Sequence, residues 1–291
     1  PHGPTEKTAT ARLRASFVLT AVIFLLELVG GWVSHSLSLL SDAGHMFTDL
    51  LASALILISI WWAAKPPTPK NSYGYYRIEI LATLINGGLL LFIAFQILWE
   101  AVHRFFTAVP IRLEVMLPVA IIGLVANAVS VGLLHKDRGH LATRSAYYHV
   151  LSDLFSSIAV VTGAVIIWLT DWRRIDSAIA LLIAGLILYG GYRLVREAVD
   201  ILMEASPAHA PLDDVEKLIL SVPQVEAVHD LHVWTISSGF LAASAHVQVH
   251  AMDTPSSDEI VRELGERLRE TFEITHTTFQ IETFPPKERG D

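Results

Sequence analysis

Two histidine–aspartate pairs carry the chemistry in this chain. His45 and Asp49 stand four residues apart in HSLSLLSDAGHMFTDL, inside a long apolar run, and His149 and Asp153 repeat the spacing in a second apolar run, as HVLSD. In a helix, residues four apart lie one above the other on the same face. Ionisable groups inside membrane segments are costly and mark an ion or substrate path. Two imidazoles and two carboxylates supply four ligands for a tetrahedral divalent ion, at about 2.0–2.2 Å for zinc. Imidazole argues against magnesium and calcium, which prefer oxygen ligands, but does not separate zinc from cobalt, cadmium or nickel. Binding requires neutral histidine and ionised aspartate, so metal loading expels protons and reprotonation expels metal. A proton gradient can therefore drive cation export through such a site.

The elements that must position these residues are long apolar helices. Candidate spans run from about 15 to 32, 37 to 64, 78 to 102, 115 to 134, 147 to 169 and 175 to 194, each near the length of about 20 residues that crosses a bilayer. The second holds His45 and Asp49 and ends at Trp61 and Trp62, as expected at a membrane–water boundary. The fifth holds His149 and Asp153. Each pair lies roughly 15 Å into its span at 1.5 Å per residue, close to the middle of a core about 30 Å thick. The two spans are antiparallel, and the pairs occupy equivalent places in two three-helix halves, the plan of an inverted repeat. Basic residues set the orientation. With a cytoplasmic N-terminus the inside set is Lys7, Arg12, Arg14, Lys65, Lys70, Arg77, Lys136, Arg138, Arg144, Arg193 and Arg196. The outside set is Arg104, Arg112, Arg173 and Arg174. This predicts both termini in the cytoplasm. Asp42 shares a helix face with His45 and Asp49 and reads as a vestibule or packing group, with a ligand role as the alternative; Glu27 and Asp176 read as hydrogen-bonding or entrance groups.

Composition divides the chain at about residue 204. Residues 1–204 form the six-span membrane part, and 205–291 read as a small domain. The latter holds 6 Lys/Arg against 15 Asp/Glu, whereas the whole chain carries −8. An acidic tail disfavours nucleic acid and suits cations. There are no cysteines, which excludes disulfides and thiolate metal sites. The opening PHGPTEKTATARLR does not read as a cleavable signal, because the apolar run behind it is too long and contains Glu27. In the tail, PLDDVEKLILSV reads as a short helix, VEAVHDLHVWTI and FLAASAHVQVH as strands around an SSG turn, TPSSDEIVRELGERLRETF as an amphipathic helix and HTTFQIETF as a strand. The order α-β-β-α-β predicts a two-layer α+β domain. His246, Gln248 and His250 share one strand face, His276, Gln280 and Glu282 share a face of the last strand, and His229 and His232 precede or sit in the first strand. Together they make a candidate second metal site.

ELVGGWVSHSLSLLSDAGHMFTDL, YGYYRIEILATLING, YYHVLSDLFSS and VHDLHVWTI resemble the zinc-transporting branch of the cation diffusion facilitator family, over about 12 to 284. The resemblance implies a proton-coupled exporter of divalent zinc, with cadmium or cobalt as further cargo. It also implies a homodimer with a ferredoxin-like cytoplasmic domain, seated in a bacterial inner membrane. It maps the transport site onto His45, Asp49, His149 and Asp153. The family's cytoplasmic zinc site maps onto His229, His246 and Glu282, with His232 as an addition. A further metal site that some relatives carry between the second and third spans is expected to be absent, since Asn71 and Tyr75 stand where histidines are needed. The loop between the fourth and fifth spans holds only His135 and His140, which does not suit a metal-gathering loop. Two rivals remain. A membrane-anchored metal sensor would need no flux. An intramembrane metalloenzyme would need an open coordination position and a general base, typically within HExxH, and no HExxH occurs.

Overall fold

The structure, a computed structural model, describes residues 4–63, 65–107, 109–135, 141–249 and 254–282. His140, His250, Lys136 and Arg138 lie outside the described residues. Among the described residues, eight helices and three strands follow in chain order: α1 (Pro4–Ser34), α2 (Leu37–Ala63), α3 (Ile78–Phe106), α4 (Leu113–His135), α5 (Leu141–Thr170), α6 (Arg174–Leu202), α7 (Leu212–Leu220), β1 (Val225–Ser237), β2 (Phe240–Val249), α8 (Thr254–Phe272) and β3 (Ile274–Glu282). Six of the helices are long and apolar enough to cross a membrane, one for each span read from the sequence. Several run past their apolar stretch. α6 continues to Leu202 through Arg193 and Arg196, because backbone hydrogen bonding does not stop where hydrophobicity does.

The chain forms two compact units, one of residues 1–55 with 85–194, the other of 56–84 with 195–291. In the first, Leu39, Leu90, Met116, Val160, Ile167 and Ile183 bring α2 to α6 into one apolar core. Large side chains such as Trp32, Phe92, Ile122, Phe155 and Leu186 point outward. In a soluble protein that exposure would be costly; on spanning helices it is the surface offered to lipid.

The start of α2 is held by a distant carboxylate. Asp176, on the first turn of α6, is 2% exposed. It accepts hydrogen bonds from the backbone N–H of Leu37 (2.7 Å) and Ser38 (3.2 Å) and from the hydroxyls of Ser36 (2.7 Å) and Ser38 (2.6 Å). The first N–H groups of a helix have no partner within it, and a carboxylate there also meets the positive end of the helix dipole. Asp176 is thus a hydrogen-bonding group, as one of the two sequence readings had it.

In the second unit, β1 pairs antiparallel with β2, and β2 pairs parallel with β3 across α8, in the order β1-β2-β3. Gly239, at φ +74, makes the tight turn between β1 and β2. Val233, Leu241, Ala243, Ala245 and Val247 face Val215, Ile219, Ile260, Leu264 and Leu268 of α7 and α8. The alternation of β2 turns Ser244 and His246 to the opposite face. Ahead of this domain, Lys65 Nζ sits over the rings of Trp61 and Trp62, at 4.6 and 4.2 Å from their centroids. Arg77 donates to Glu204 at 2.8 Å, and Ser238 donates to Glu79 at 2.7 Å.

Candidate metal centres

The first centre is built from α2 and α5. Each helix places a histidine and an aspartate one turn apart, and the two faces converge. Ligand atoms of His45, Asp49 and Asp153 all lie within 4.8 Å of one another. His149 Nε2 is 3.3 Å from Asp49 Oδ2 and 3.8 Å from Asp153 Oδ2. His45 Nδ1 is 3.6 Å from Asp49 Oδ2, and its Nε2 is 3.9 Å from Asp153 Oδ1. Each histidine therefore reaches both carboxylates. His45 Nδ1, Asp49 Oδ2 and Asp153 Oδ1 are buried and make no hydrogen bond. Buried polar atoms left without partners are expensive, and a cation that collects them removes the cost. The donor set has the composition of a zinc-type site. Exposure is graded across it: the side chain of His149 is 41% exposed and that of Asp153 is 2%.

A second layer of polar groups lies beside this centre. Asp42 accepts a hydrogen bond from Ser156 of α5. Asn127 of α4 donates to Ser157 at 2.9 Å, and Ser157 makes a long contact of 3.5 Å to the other oxygen of Asp42. Glu27 of α1 is buried, and its carboxylate fills the space beside Gly123 of α4, where a Cβ would collide with it. Glu27 and Asp42 both lie close enough to Asp153 to feel its charge. Of the sequence readings of Asp42, the packing one describes its contacts with Ser156 and Ser157. The parts played by Ser156, Ser157 and Asn127 were missed; two adjacent serines and an asparagine inside apolar runs were the available signal.

The second centre lies on the open face of the tail sheet. His229 of β1 faces His246 of β2 across the strand pair, and Glu282 reaches them from β3. His229 Nε2 is 2.9 Å from Glu282 Oε2, and His246 Nδ1 is 2.9 Å from Glu282 Oε1. Ligand atoms of the three residues lie within 4.8 Å of one another. The hydrogen bond from His229, with that from Gln280 and the electrostatic influence of the nearby His246, holds the Glu282 carboxyl below the usual glutamate range. Two imidazoles and one ionised carboxylate suit a zinc-type ion and leave a fourth position. His232 is not in this triad. Its Nε2 is 3.4 Å from Asp230 Oδ1, and it lines a separate cavity of about 700 Å³ with Lys70, Tyr73, Arg77 and Trp234. His276 packs edge-on against Tyr73 and Phe240.

Comparison with known proteins covers both parts of the chain. Residues 13–203 match the family model for the cation efflux transmembrane domain, and 207–284 match that for the cation efflux protein cytoplasmic domain. The metal cation efflux system protein CzcD of Cupriavidus metallidurans is 39% identical over 274 residues, covering 94% of this chain and 86% of that protein. The zinc transporter ZitB of Pectobacterium atrosepticum is 34% identical over 286 residues, covering 97% and 88%. The cadmium, cobalt and zinc/H(+)-K(+) antiporter of Bacillus subtilis is 35% identical over 286 residues, covering 97% and 92%. Among solved structures, the metal-bound C-terminal domain of the CzcD transporter is 40% identical and covers 25% of this chain and 99% of that one, with a TM-score of 0.23.

Proposed function

The chain belongs to the cation efflux family, and on that premise we propose that it exports zinc from the cytoplasm in exchange for protons through His45, Asp49, His149 and Asp153. It is a multi-pass membrane transporter of metal cations and not an enzyme. The observation that carries the proposal is the convergence of two histidines and two aspartates from α2 and α5, with buried ligand atoms that nothing else satisfies. Residues 1–204 are the transport domain and 205–291 the cytoplasmic domain.

Protons and metal compete for the same lone pairs. A neutral imidazole and an ionised carboxylate bind the cation, and their protonated forms do not. Metal loaded from the cytoplasm is released when protons arrive from the other side. A close relative carries proton exchange in its name, which supports this coupling. Because two ligands come from α2 and two from α5, a rocking of one helix against the other alters all four metal bonds at once. The most exposed ligand, His149, lies a turn nearer the start of α5 than Asp153. The excess of basic residues assigns that end to the cytoplasm, so entry from that side fits the gradient of exposure. The bacterial inner membrane is the proposed location, in keeping with the bacterial relatives.

His229, His246 and Glu282 are proposed to hold a resident zinc ion in the tail, which would supply a cross-link between three strands. The tail is further proposed to form a homodimer that tightens when this site is filled. The test is zinc movement into proteoliposomes under an imposed pH gradient. Accumulation should collapse when an ionophore dissipates the gradient. Accumulation that survives the ionophore would refute proton coupling, and metal binding without any flux would favour a membrane-anchored sensor.

A further inference from the structure

We infer that Asp230 is the positioning carboxylate of the tail metal site, holding the His246 ring so that its Nδ1 faces the ion. The inference rests on the reading of His229, His246 and Glu282 as that site. His246 turns its two nitrogens to different partners: Nδ1 lies 2.9 Å from Glu282 Oε1, and Nε2 lies 3.8 Å from Asp230 Oδ2. A neutral imidazole that gives one lone pair to a metal carries its proton on the other nitrogen. That N–H is almost always directed at a carboxylate, a carbonyl or water, which fixes the tautomer and the ring angle and makes the ligand more basic. Asp230 is the carboxylate on that side of His246.

The backbone accounts for how Asp230 gets there. The pairing of β1 with β2 shifts register between His229 and His232, and Asp230 sits in the irregularity with φ +53. Left-handed backbone is unfavourable for a residue with a side chain, though aspartate and asparagine tolerate it better than most. In an uninterrupted strand, residues 229 and 232 would point to opposite faces. Here His229 pairs with His246 and His232 with Ser244, two residues of one β2 face. The bulge thus gathers both histidines on the open face and aims the carboxylate between them, with Oδ1 3.4 Å from His232 Nε2. Bulges recur where a strand must re-aim a side chain, and a strained backbone persists where the surrounding structure uses it.

The test uses the full chain in detergent, with Asp49→Ala and Asp153→Ala in every sample so that midplane binding is removed. Zinc affinity is measured against a competing chelator, cobalt substitution gives the ligand-field spectrum, and melting is followed without metal. Asp230→Gly accepts the left-handed backbone but removes the carboxylate. It should weaken zinc binding by about 10- to 100-fold, shift the cobalt bands and leave metal-free melting unchanged or higher. Asp230→Asn, which keeps an acceptor oxygen, should recover part of the affinity. Unchanged affinity in Asp230→Gly overturns the inference, and so does a loss matched by a lower metal-free melting temperature. His229→Ala separates the two levels of argument: if it too leaves zinc binding intact, the tail site itself has been misassigned.

Discussion

Removing the Asp176 carboxylate should loosen the α2–α6 junction without touching a metal ligand. In Asp176→Ala, the N–H groups of Leu37 and Ser38 lose their acceptor at a place buried from solvent. Each stranded donor costs about 1–3 kcal/mol, and loss of a charge at the helix N-terminus adds roughly 0.3–1 kcal/mol. The two serine hydroxyls lose less. Ser36 and Ser38 lie 3.2 Å apart, and Ser36 also accepts from Leu39 N–H at 3.3 Å, so they retain partners. The expected destabilisation is about 2–7 kcal/mol. At roughly 2–4 °C per kcal/mol for a chain of this size, the melting temperature should fall by roughly 5–28 °C. Asp176→Asn keeps one acceptor and should fall by about half as much. The assay is thermal unfolding of purified protein in detergent, followed by tryptophan fluorescence. If Asp176→Ala melts within about 2 °C of wild type, the capping argument is wrong. If melting is unchanged while zinc flux is lost, Asp176 belongs to the ion's entrance instead.

Gly123→Ala should destabilise the packing of α1 against α4 by about 1–3 kcal/mol, the usual cost of overfilling a packed interior, because the new methyl group meets the Glu27 carboxylate. Combining it with Glu27→Ala should restore melting toward that of Glu27→Ala alone, and additive losses would contradict the contact. Glu282→Gln should lower the metal-free stability of the tail at pH 6. The Glu282 carboxyl titrates below the ordinary glutamate range in the folded protein, so its contribution is present above that range and disappears as pH falls through its lowered value. The gap between wild type and variant should therefore close in acid, and a gap that widens on acidification would refute the pairing with His229 and His246. His45→Asp replaces a nitrogen ligand by oxygen, which should broaden transport toward manganese and cadmium. An unchanged metal profile in competition flux assays would count against His45 as a ligand.

Much of this arrangement was legible in the sequence because its signals are local. Six apolar stretches of spanning length needed only composition, and the spacing of His45 with Asp49 and of His149 with Asp153 needed only helical periodicity. The alternation in SAHVQVH and TTFQIE made β2 and β3 readable as strands. What stayed hidden depends on groups far apart in the chain. Nothing in RRIDSAI says that Asp176 will cap the start of α2, because its partners lie 138 to 140 residues earlier. The pairing of Asp42 with Ser156 likewise exists only once α2 and α5 are packed together. The bulge at Asp230 was invisible because HDLH reads as continuous strand. Its irregularity appears only in the pairing with β2.

The most direct test of the central claim compares zinc flux and zinc binding for wild type, Asp49→Ala and Asp153→Ala. All three should be reconstituted in proteoliposomes under the same pH gradient, with folding checked by melting temperature. The account predicts that wild type accumulates zinc, whereas both variants fold, retain tail binding and accumulate none. Normal flux through a correctly folded Asp153→Ala would contradict it, because the cation would then be crossing by a route that does not use the His45, Asp49, His149 and Asp153 site.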